Sequence, residues 1–184
     1  ALSITLCLRA MFRLSFTSPR PTEFGVSFSP RYTEYLGLEP HDVFRRMITE
    51  LPVAYVRLSA PWNDIQPESA SSTFTELDWY MDEAARHKVL VTLVIGQKTP
   101  RWPECHVPAW AQALDAPGYA TALKQYLVDV VERYKKHPAL EYWQVENEAN
   151  LKFGTCPHFV QSLVPSEFDL VREHDPFHAR LSTV

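Results

Sequence analysis

Apolar and polar positions along the chain follow two different periods. Mostly apolar runs rich in β-branched residues occur at 53–58 and 89–95, interrupted by Arg57 and Thr92, and the nearly all-apolar second run is typical of a parallel strand that is covered on both faces. Between the runs, apolar residues recur every three to four positions, which is typical of helices. The longest helical pattern extends from Leu123 to Tyr134 and stops at His137-Pro138. The pattern therefore predicts alternating strands and helices.

The same pattern divides the chain into four strand-helix units and a fifth strand. Strands are predicted at 24–28, 53–58, 89–95, immediately before Asn147, and at 179–184. Helices are predicted after Pro40, after Thr75, over 123–134 and over 165–174. Thr75 and Asp78 have the spacing of a capping box, so we expect them to cap the second of these helices.

This order predicts an α/β fold with parallel βαβ units, which either a doubly wound sheet or a barrel would satisfy. Polar and aromatic residues distinguish the two folds, because they lie at or just beyond the carboxyl ends of several successive strands, as in a barrel. In a doubly wound sheet they would cluster at a single switch point. They are Arg57, Trp62, Lys98, Trp102 and Glu148. A TIM-type (β/α)8 barrel is favoured. Such a barrel typically needs about 250 residues, so we expect the 184 residues to hold the first four βα units and the fifth strand.

The first twenty residues differ from the rest of the chain. Residues 1–16 are mostly apolar, contain Arg9 and Arg13, and begin without Met. We expect residues 1–20 to be an appendage to the fold, for which a remnant of a signal or membrane anchor and an artefact of cloning or gene prediction are the two interpretations. The longest apolar run is far shorter than the roughly 20 residues of a membrane-spanning helix. Residues 21–184 are predicted to form the barrel domain.

Composition excludes several classes of partner. A net charge of −4 without any Lys/Arg run argues against nucleic acid, whose binding proteins are basic. Neither phosphate-binding glycine motif occurs among the five glycines, so a nucleotide cofactor is not expected. We predict no cofactor and no metal site.

Residues 142–150 carry the clearest chemical signal. An apolar strand leads directly into Asn147-Glu148. A carboxyl group at the exposed end of a buried strand is well placed to act as a general acid, and an amide that both donates and accepts suits a sugar hydroxyl. The plainer interpretation is a strand end that emerges into water. Glu146, about 6.5 Å deeper along the same strand, is expected to point into the barrel.

Four short motifs together resemble the catalytic domains of the TIM-barrel glycoside hydrolases that include cellulases, β-mannanases and β-galactosidases. They are YVRL at 55–58, LDW at 77–79, TPRWP at 99–103 and WQVENE at 143–148. The resemblance implies that Glu148 is the general acid/base, that Asn147 binds the hydroxyl beside the anomeric carbon, and that Arg57 orients the nucleophilic carboxylate. In that superfamily the nucleophile is a Glu at the end of strand seven, which this sequence does not reach.

The implied substrate is a β-linked saccharide. Trp62, Trp102 and Lys98 are predicted to contact it, with local packing as the alternative for the two tryptophans. Because a retaining glycosidase needs two carboxyl groups about 5 to 5.5 Å apart, we expect the fragment alone to be inactive. The rival hypotheses are a non-catalytic carbohydrate-binding half-barrel and self-association through the open barrel. Sugar-polymer hydrolysis favours an extracellular or membrane-anchored protein.

Two cysteines fall in the loops after the third and fourth strands, which are expected to be neighbours. Cys105 is followed by His106, and Cys156 lies two residues before His158. A disulfide, free thiols and a zinc site with the two histidines all fit these positions. Zinc is the weakest of the three because no close CxxC spacing is present.

Overall fold

Five parallel strands form a single sheet in the computed structural model, which describes residues 23–69 and 71–183. The strands are β1 (Phe24–Ser27), β2 (Val53–Ser59), β3 (Leu90–Ile95), β4 (Leu140–Val145) and β5 (Ala179–Leu181), and each pairs with the next in chain order. The predicted α/β architecture is confirmed. The predicted appendage at 1–20 lies outside the described residues.

Helices cover the crossovers between the strands. They are α1 (Pro30–Tyr35), α2 (Pro40–Glu50), α3 (Trp62–Ile65), α4 (Thr75–Arg86), α5 (Ala109–Gln112), α6 (Ala116–Tyr134) and α7 (Val164–His174), with a 3-10 turn at Gln161–Leu163. The sequence pattern anticipates α2, α4, α6 and α7. It misses three short helices, because four to six residues are too few to show a period. The first of these, α1, begins where Ser29 Oγ accepts a hydrogen bond from Tyr32 N.

Strand register aligns the carboxyl ends of the sheet. Arg57 on β2 lies opposite Thr92, and Val94 on β3 lies opposite Gln144. The loops that follow β2, β3 and β4 therefore meet at one edge, as they do at the mouth of a TIM barrel. The described strands leave β1 and β5 as the two edges of the sheet.

The core lies between the sheet and the helices α2, α4 and α6. The apolar face of α6 is buried and includes Leu123, Leu127, Val130 and Val131. Both faces of β3 are covered, as the nearly all-apolar run predicts: Val91, Leu93, Val94 and Ile95 have no exposed surface. No helix in residues 23–69 or 71–183 is long and apolar enough to cross a membrane.

The predicted capping box of α4 is wrong. Phe74 is the N-cap residue, no side chain caps the helix, and Thr75 is already its first helical residue. Asp78 instead accepts hydrogen bonds from Arg133 Nε at 2.7 Å and from Tyr134 Oη at 2.8 Å. Asp78 pairs with Arg133 instead of capping α4, because the ion pair joins two helices, whereas a cap would satisfy only one backbone donor.

Candidate active site

Arg57 connects the end of β2 to the end of β4. Its Nε donates to Gln144 Oε1 at 2.8 Å, and its Nη2 donates to Asn147 Oδ1 at 2.7 Å. Burial lowers the pKa of the Arg57 guanidinium, and the nearby carboxylates of Glu148 and Glu104 oppose that shift. A planar guanidinium suits this position because it donates in two fixed directions at once. The side chain is therefore held rigidly at the carboxyl edge of the sheet.

The amide of Asn147 is oriented from both sides. Its oxygen accepts from Arg57, and its Nδ2 donates to Glu104 Oε2 at 2.8 Å. Glu104 is buried, and its other oxygen accepts from Arg101 N at 3.2 Å. Sequence reasoning missed Glu104. Its position directly before Cys105, in a loop already expected beside Asn147, was the available signal.

Glu148 lies in a sharp turn after β4. Both Glu146 and Glu148 have positive φ angles, 62° and 49°, in the left-handed region that non-glycine residues rarely adopt. Glu148 N donates to Thr183 Oγ1 at 2.9 Å, which ties the turn to the residues after β5. The half-exposed Glu148 carboxylate is close enough to act on the charge of Arg57. The structure thus brings Arg57, Asn147 and Glu148 together.

Glu146 is buried below this turn and supports it. Its two carboxylate oxygens accept from Gln97 N at 2.7 Å and Lys98 N at 2.6 Å. Burial raises the pKa of Glu146 well above its ordinary value, and the adjacent carboxylate of Glu167 on α7 raises it further. Burial also raises the pKa of Glu167, which accepts from Gln97 Nε2 at 2.8 Å. The two carboxyl groups therefore hold a proton more tightly than exposed glutamates do.

Trp62 and Lys98 do not face the site, so both predicted substrate contacts are corrected. Trp62 is fully buried and stacks on Tyr126 with ring centroids 5.5 Å apart. Short helix α3 turns the Trp62 ring inward, onto α6, so no face of the indole remains for a sugar. Lys98 is also buried, and its Nζ donates to the carbonyls of Glu148 at 3.1 Å and Leu151 at 2.9 Å. Lys98 therefore stabilises the turn that follows β4.

Trp102 is positioned differently from Trp62. It is 67% exposed, and its ring meets Phe153 edge to face at a centroid distance of 6.1 Å. The two rings join the loop after β3 to the loop after β4. Its predicted contact with substrate stays a prediction.

A disulfide joins Cys105 to Cys156, with the two Cα atoms 5.1 Å apart. It resolves the three alternatives for these cysteines and links the same two loops. Within the part of the chain that the structure describes, no cluster of three or more metal-ligating side chains is present. His106 is buried beside the disulfide, and its Nε2 lies 3.3 Å from Arg101 O.

Comparison with solved structures defines the class of fold. A glycoside hydrolase of subfamily GH5_18 from Streptomyces cattleya, in complex with GlcNAc, superposes with a TM-score of 0.66 at 19% identity, covering 90% of this chain and 45% of that one. The GH5_18 enzyme from Bifidobacterium longum subsp. longum gives a TM-score of 0.66 at 18% identity. The sheet and helices therefore match about half of a TIM-barrel glycosidase.

Sequence comparison identifies the family. The profile of the glycoside hydrolase 42 (β-galactosidase) family matches residues 40–162, and the chain belongs to that family. It is 26% identical over 136 residues to the β-galactosidase LacZ of Heyndrickxia coagulans and 27% identical over 114 residues to the β-galactosidase BgaB of Geobacillus kaustophilus. The chain spans only 19% and 17% of those two relatives.

Proposed function

We propose that this chain supplies the acid/base half of the active site of a retaining β-glycosidase. The observation that supports the proposal best is the convergence of Arg57, Asn147 and Glu148 at the carboxyl edge of neighbouring parallel strands. Active sites of TIM-barrel enzymes lie at this edge. Because the curated relatives are β-galactosidases, a β-galactoside is the proposed substrate.

In this proposal Glu148 protonates the glycosidic oxygen while a second carboxylate attacks the anomeric carbon. The bond to the leaving group breaks and a glycosyl-enzyme intermediate forms. Glu148 then takes a proton from water, which displaces the carboxylate and regenerates the free enzyme. The half-exposed position of Glu148 suits both steps, since it lets the carboxyl group reach substrate and water.

The second carboxylate is expected from outside residues 23–183. Apart from Glu148, the two carboxylates next to Asn147 are both engaged: Glu104 by Asn147 and Arg101, and Glu146 by the backbone of residues 97 and 98. Neither is free to attack a sugar. The family resemblance assigns the nucleophile to strand seven, where Arg57 would hold it ionised. We therefore propose that the 184-residue chain alone does not hydrolyse glycosides.

Asn147 is proposed to bind the sugar hydroxyl beside the anomeric carbon. An amide nitrogen carries two hydrogens, and within residues 23–69 and 71–183 only one of those on Asn147 Nδ2 is used, by Glu104. The second can donate to substrate. Because Arg57 and Glu104 fix the orientation of the amide, this donor is positioned before the substrate arrives, which reduces the ordering that binding requires.

Hydrolysis of an aryl β-galactoside tests the proposal. We expect no turnover by the 184-residue chain, and turnover by protein that includes the complete barrel. Glu148→Gln in the complete barrel should lower kcat by about 10² to 10⁴, and the exposed Glu173→Gln should not change it. Equal rates for Glu148→Gln and wild type would contradict the proposal.

The disulfide also supports a proposal about location. Stable disulfides form mainly in oxidising compartments, so Cys105–Cys156 favours export to the cell surface or beyond. Self-association through the sheet edges β1 and β5 stays a prediction, because unpaired edge strands favour pairing with another chain. Sedimentation velocity measures it directly, and a monomer at all concentrations would contradict it.

A further inference from the structure

A cavity of about 780 Å³ lies beside the carboxyl ends of β1, β2 and β3. Its walls come from α1, from the start of α4 and from the loop after β3, and none of Arg57, Asn147 and Glu148 lines it. Small-molecule sites usually measure about 300 to 1,000 Å³. The cavity therefore has the size of a ligand site and no role in the chemistry proposed above.

Aromatic rings form much of its wall. Tyr32 and Tyr35 on α1 stack with centroids 5.9 Å apart, and the guanidinium of Arg101 lies 5.3 Å from the Tyr32 ring centre. Exposed Trp102 lines the same cavity. Flat, rigid rings offer apolar faces at little conformational cost. A pyranose ring presents C–H faces that match such surfaces.

One residue of the cavity wall, Tyr80, has a buried hydroxyl group without a partner in the described residues. Tyr80 is 2% exposed, its ring packs on Phe28 and Phe44, and its Oη has no hydrogen-bond partner in the described residues. Burial raises the pKa of Tyr80, as do the carboxylates of Glu76 and Glu34, which line the same cavity. Tyr80 is thus a neutral donor. An unpaired buried hydroxyl costs about 1 to 3 kcal/mol, and a ligand hydroxyl would remove that penalty.

Acidic side chains slightly outnumber basic ones around the cavity: Glu34, Asp64 and Glu76 against Arg31 and Arg101. Asp64 is paired with Arg31 on α1; burial raises the pKa of its carboxyl group, and Arg31 opposes that shift. His106 also lines the cavity, and burial lowers its pKa to about 4, so it is neutral at pH 7. Glu34, Glu76 and Arg101 also line the cavity. No excess of positive charge would attract a phosphate, whereas the mixture of donors and acceptors suits a neutral polyol.

We propose that this cavity is a second binding site for a neutral saccharide, with Tyr80 as a hydroxyl donor and Tyr32 and Trp102 as stacking surfaces. The ligand class rests on the proposed glycosidase function, but the site uses none of its catalytic residues. Two sources could supply the sugar: a distal unit of the substrate, or a separate sugar molecule.

Calorimetric titration of the 184-residue chain with lactose tests the site. We expect saturable binding that Tyr80→Phe weakens about 3- to 10-fold, the range for one lost hydrogen bond. Phe fills the same space, so the fold is retained. Tyr55→Phe is the matched control, because the Tyr55 hydroxyl bonds to Glu23 outside the cavity, and it should bind as wild type does. Trp102→Ala should weaken binding at least as much as Tyr80→Phe.

Saccharides of increasing length separate the two sources. A distal substrate unit predicts that a β-linked galactotriose binds more tightly than galactose, whereas a separate sugar predicts similar affinities, and either result supports the site. Absence of binding at tens of millimolar, or equal affinity of Tyr80→Phe and Tyr55→Phe, would overturn it. The titration depends on Tyr80 and Trp102, whereas the hydrolysis assay depends on Glu148, so the two proposals can fail separately.

Discussion

Arg57 Nη2 donates to Asn147 Oδ1 at 2.7 Å, and this contact joins residues that are 90 positions apart. It connects the end of β2 to the turn that presents Glu148. Because Arg57 also donates from Nε to Gln144, one side chain binds both the carboxyl end of β4 and the first residues beyond it. The geometry of the candidate site therefore depends on a guanidinium at this position.

Replacement of Arg57 by Lys should destabilise the protein. An ammonium group keeps the charge but cannot donate in two fixed directions, so one charged hydrogen bond is lost at a cost of about 1.5 to 3 kcal/mol. Chemical denaturation measures the change in the free energy of unfolding. Arg46→Lys is the control, since Arg46 pairs with Glu50 on the exposed face of α2, and it should change stability by less than about 0.5 kcal/mol.

Gly96 cannot accept a side chain. Its φ is 122°, and a Cβ atom would lie 2.4 Å from Glu146 Oε1. Gly96→Ala should therefore displace the buried carboxyl group and lower the free energy of unfolding by more than about 3 kcal/mol. Gly37→Ala is the matched control: its φ is 74°, but a Cβ atom there would meet no neighbour within 4 Å. It should cost only about 1 kcal/mol. Similar effects of the two substitutions would contradict the assigned role of Glu146.

The buried Glu146–Glu167 pair should make stability depend on pH. The raised pKa values mean that the folded state keeps a proton which the unfolded chain releases above about pH 4.5, the ordinary glutamate value. The contribution is complete below that pH and is lost as pH rises through the folded pKa. In that window the free energy of unfolding should fall by up to about 1.4 kcal/mol per pH unit.

Glu167→Gln tests this pH dependence. The amide can donate to Glu146 without a shared proton, so the slope between pH 4.5 and neutral should flatten relative to wild type. Glu173→Gln, at an exposed position on the same helix, should leave the slope unchanged. Denaturation curves collected across pH give both values. An unaltered slope in Glu167→Gln would show that the pair does not hold a proton.

The disulfide should contribute substantially to stability. It closes a loop between residues 51 positions apart, and cross-links of this kind typically contribute about 2 to 4 kcal/mol. Reductant should therefore lower the denaturation midpoint of wild type and have no further effect on a Cys105→Ser, Cys156→Ser double variant. A midpoint insensitive to reductant in wild type would contradict the pairing.

The sequence pattern predicts the strands, the long helices and the position of Arg57, Asn147 and Glu148, because these follow from local periodicity and from the ends of parallel strands. It does not predict where Trp62 and Lys98 point. Trp62 lies in a four-residue helix that turns back onto α6, and no local period reveals that direction. Long charged side chains such as Lys98 are normally exposed. Lys98 is buried because its ammonium group donates to carbonyl groups in the turn after β4, which is distant in sequence.

The sequence does not predict the roles of Glu104 and Glu167, for the same reason in both cases. Glu104 bonds to a residue 43 positions away, and Glu167 bonds to one 70 positions away. Neither belongs to a short motif, so only the folded structure brings them to the site. By contrast, the disulfide was among the alternatives, because both cysteines follow neighbouring strands.

Azide rescue of Glu148→Ala, in protein with the complete barrel, tests the role of Glu148 most directly. With an activated aryl β-galactoside, the intermediate should still form but should no longer be hydrolysed efficiently, because no residue activates water. Azide needs no general base, so it should restore turnover and yield galactosyl azide with the β configuration retained. Near-wild-type hydrolysis by Glu148→Ala, with no azide product, would contradict the assignment.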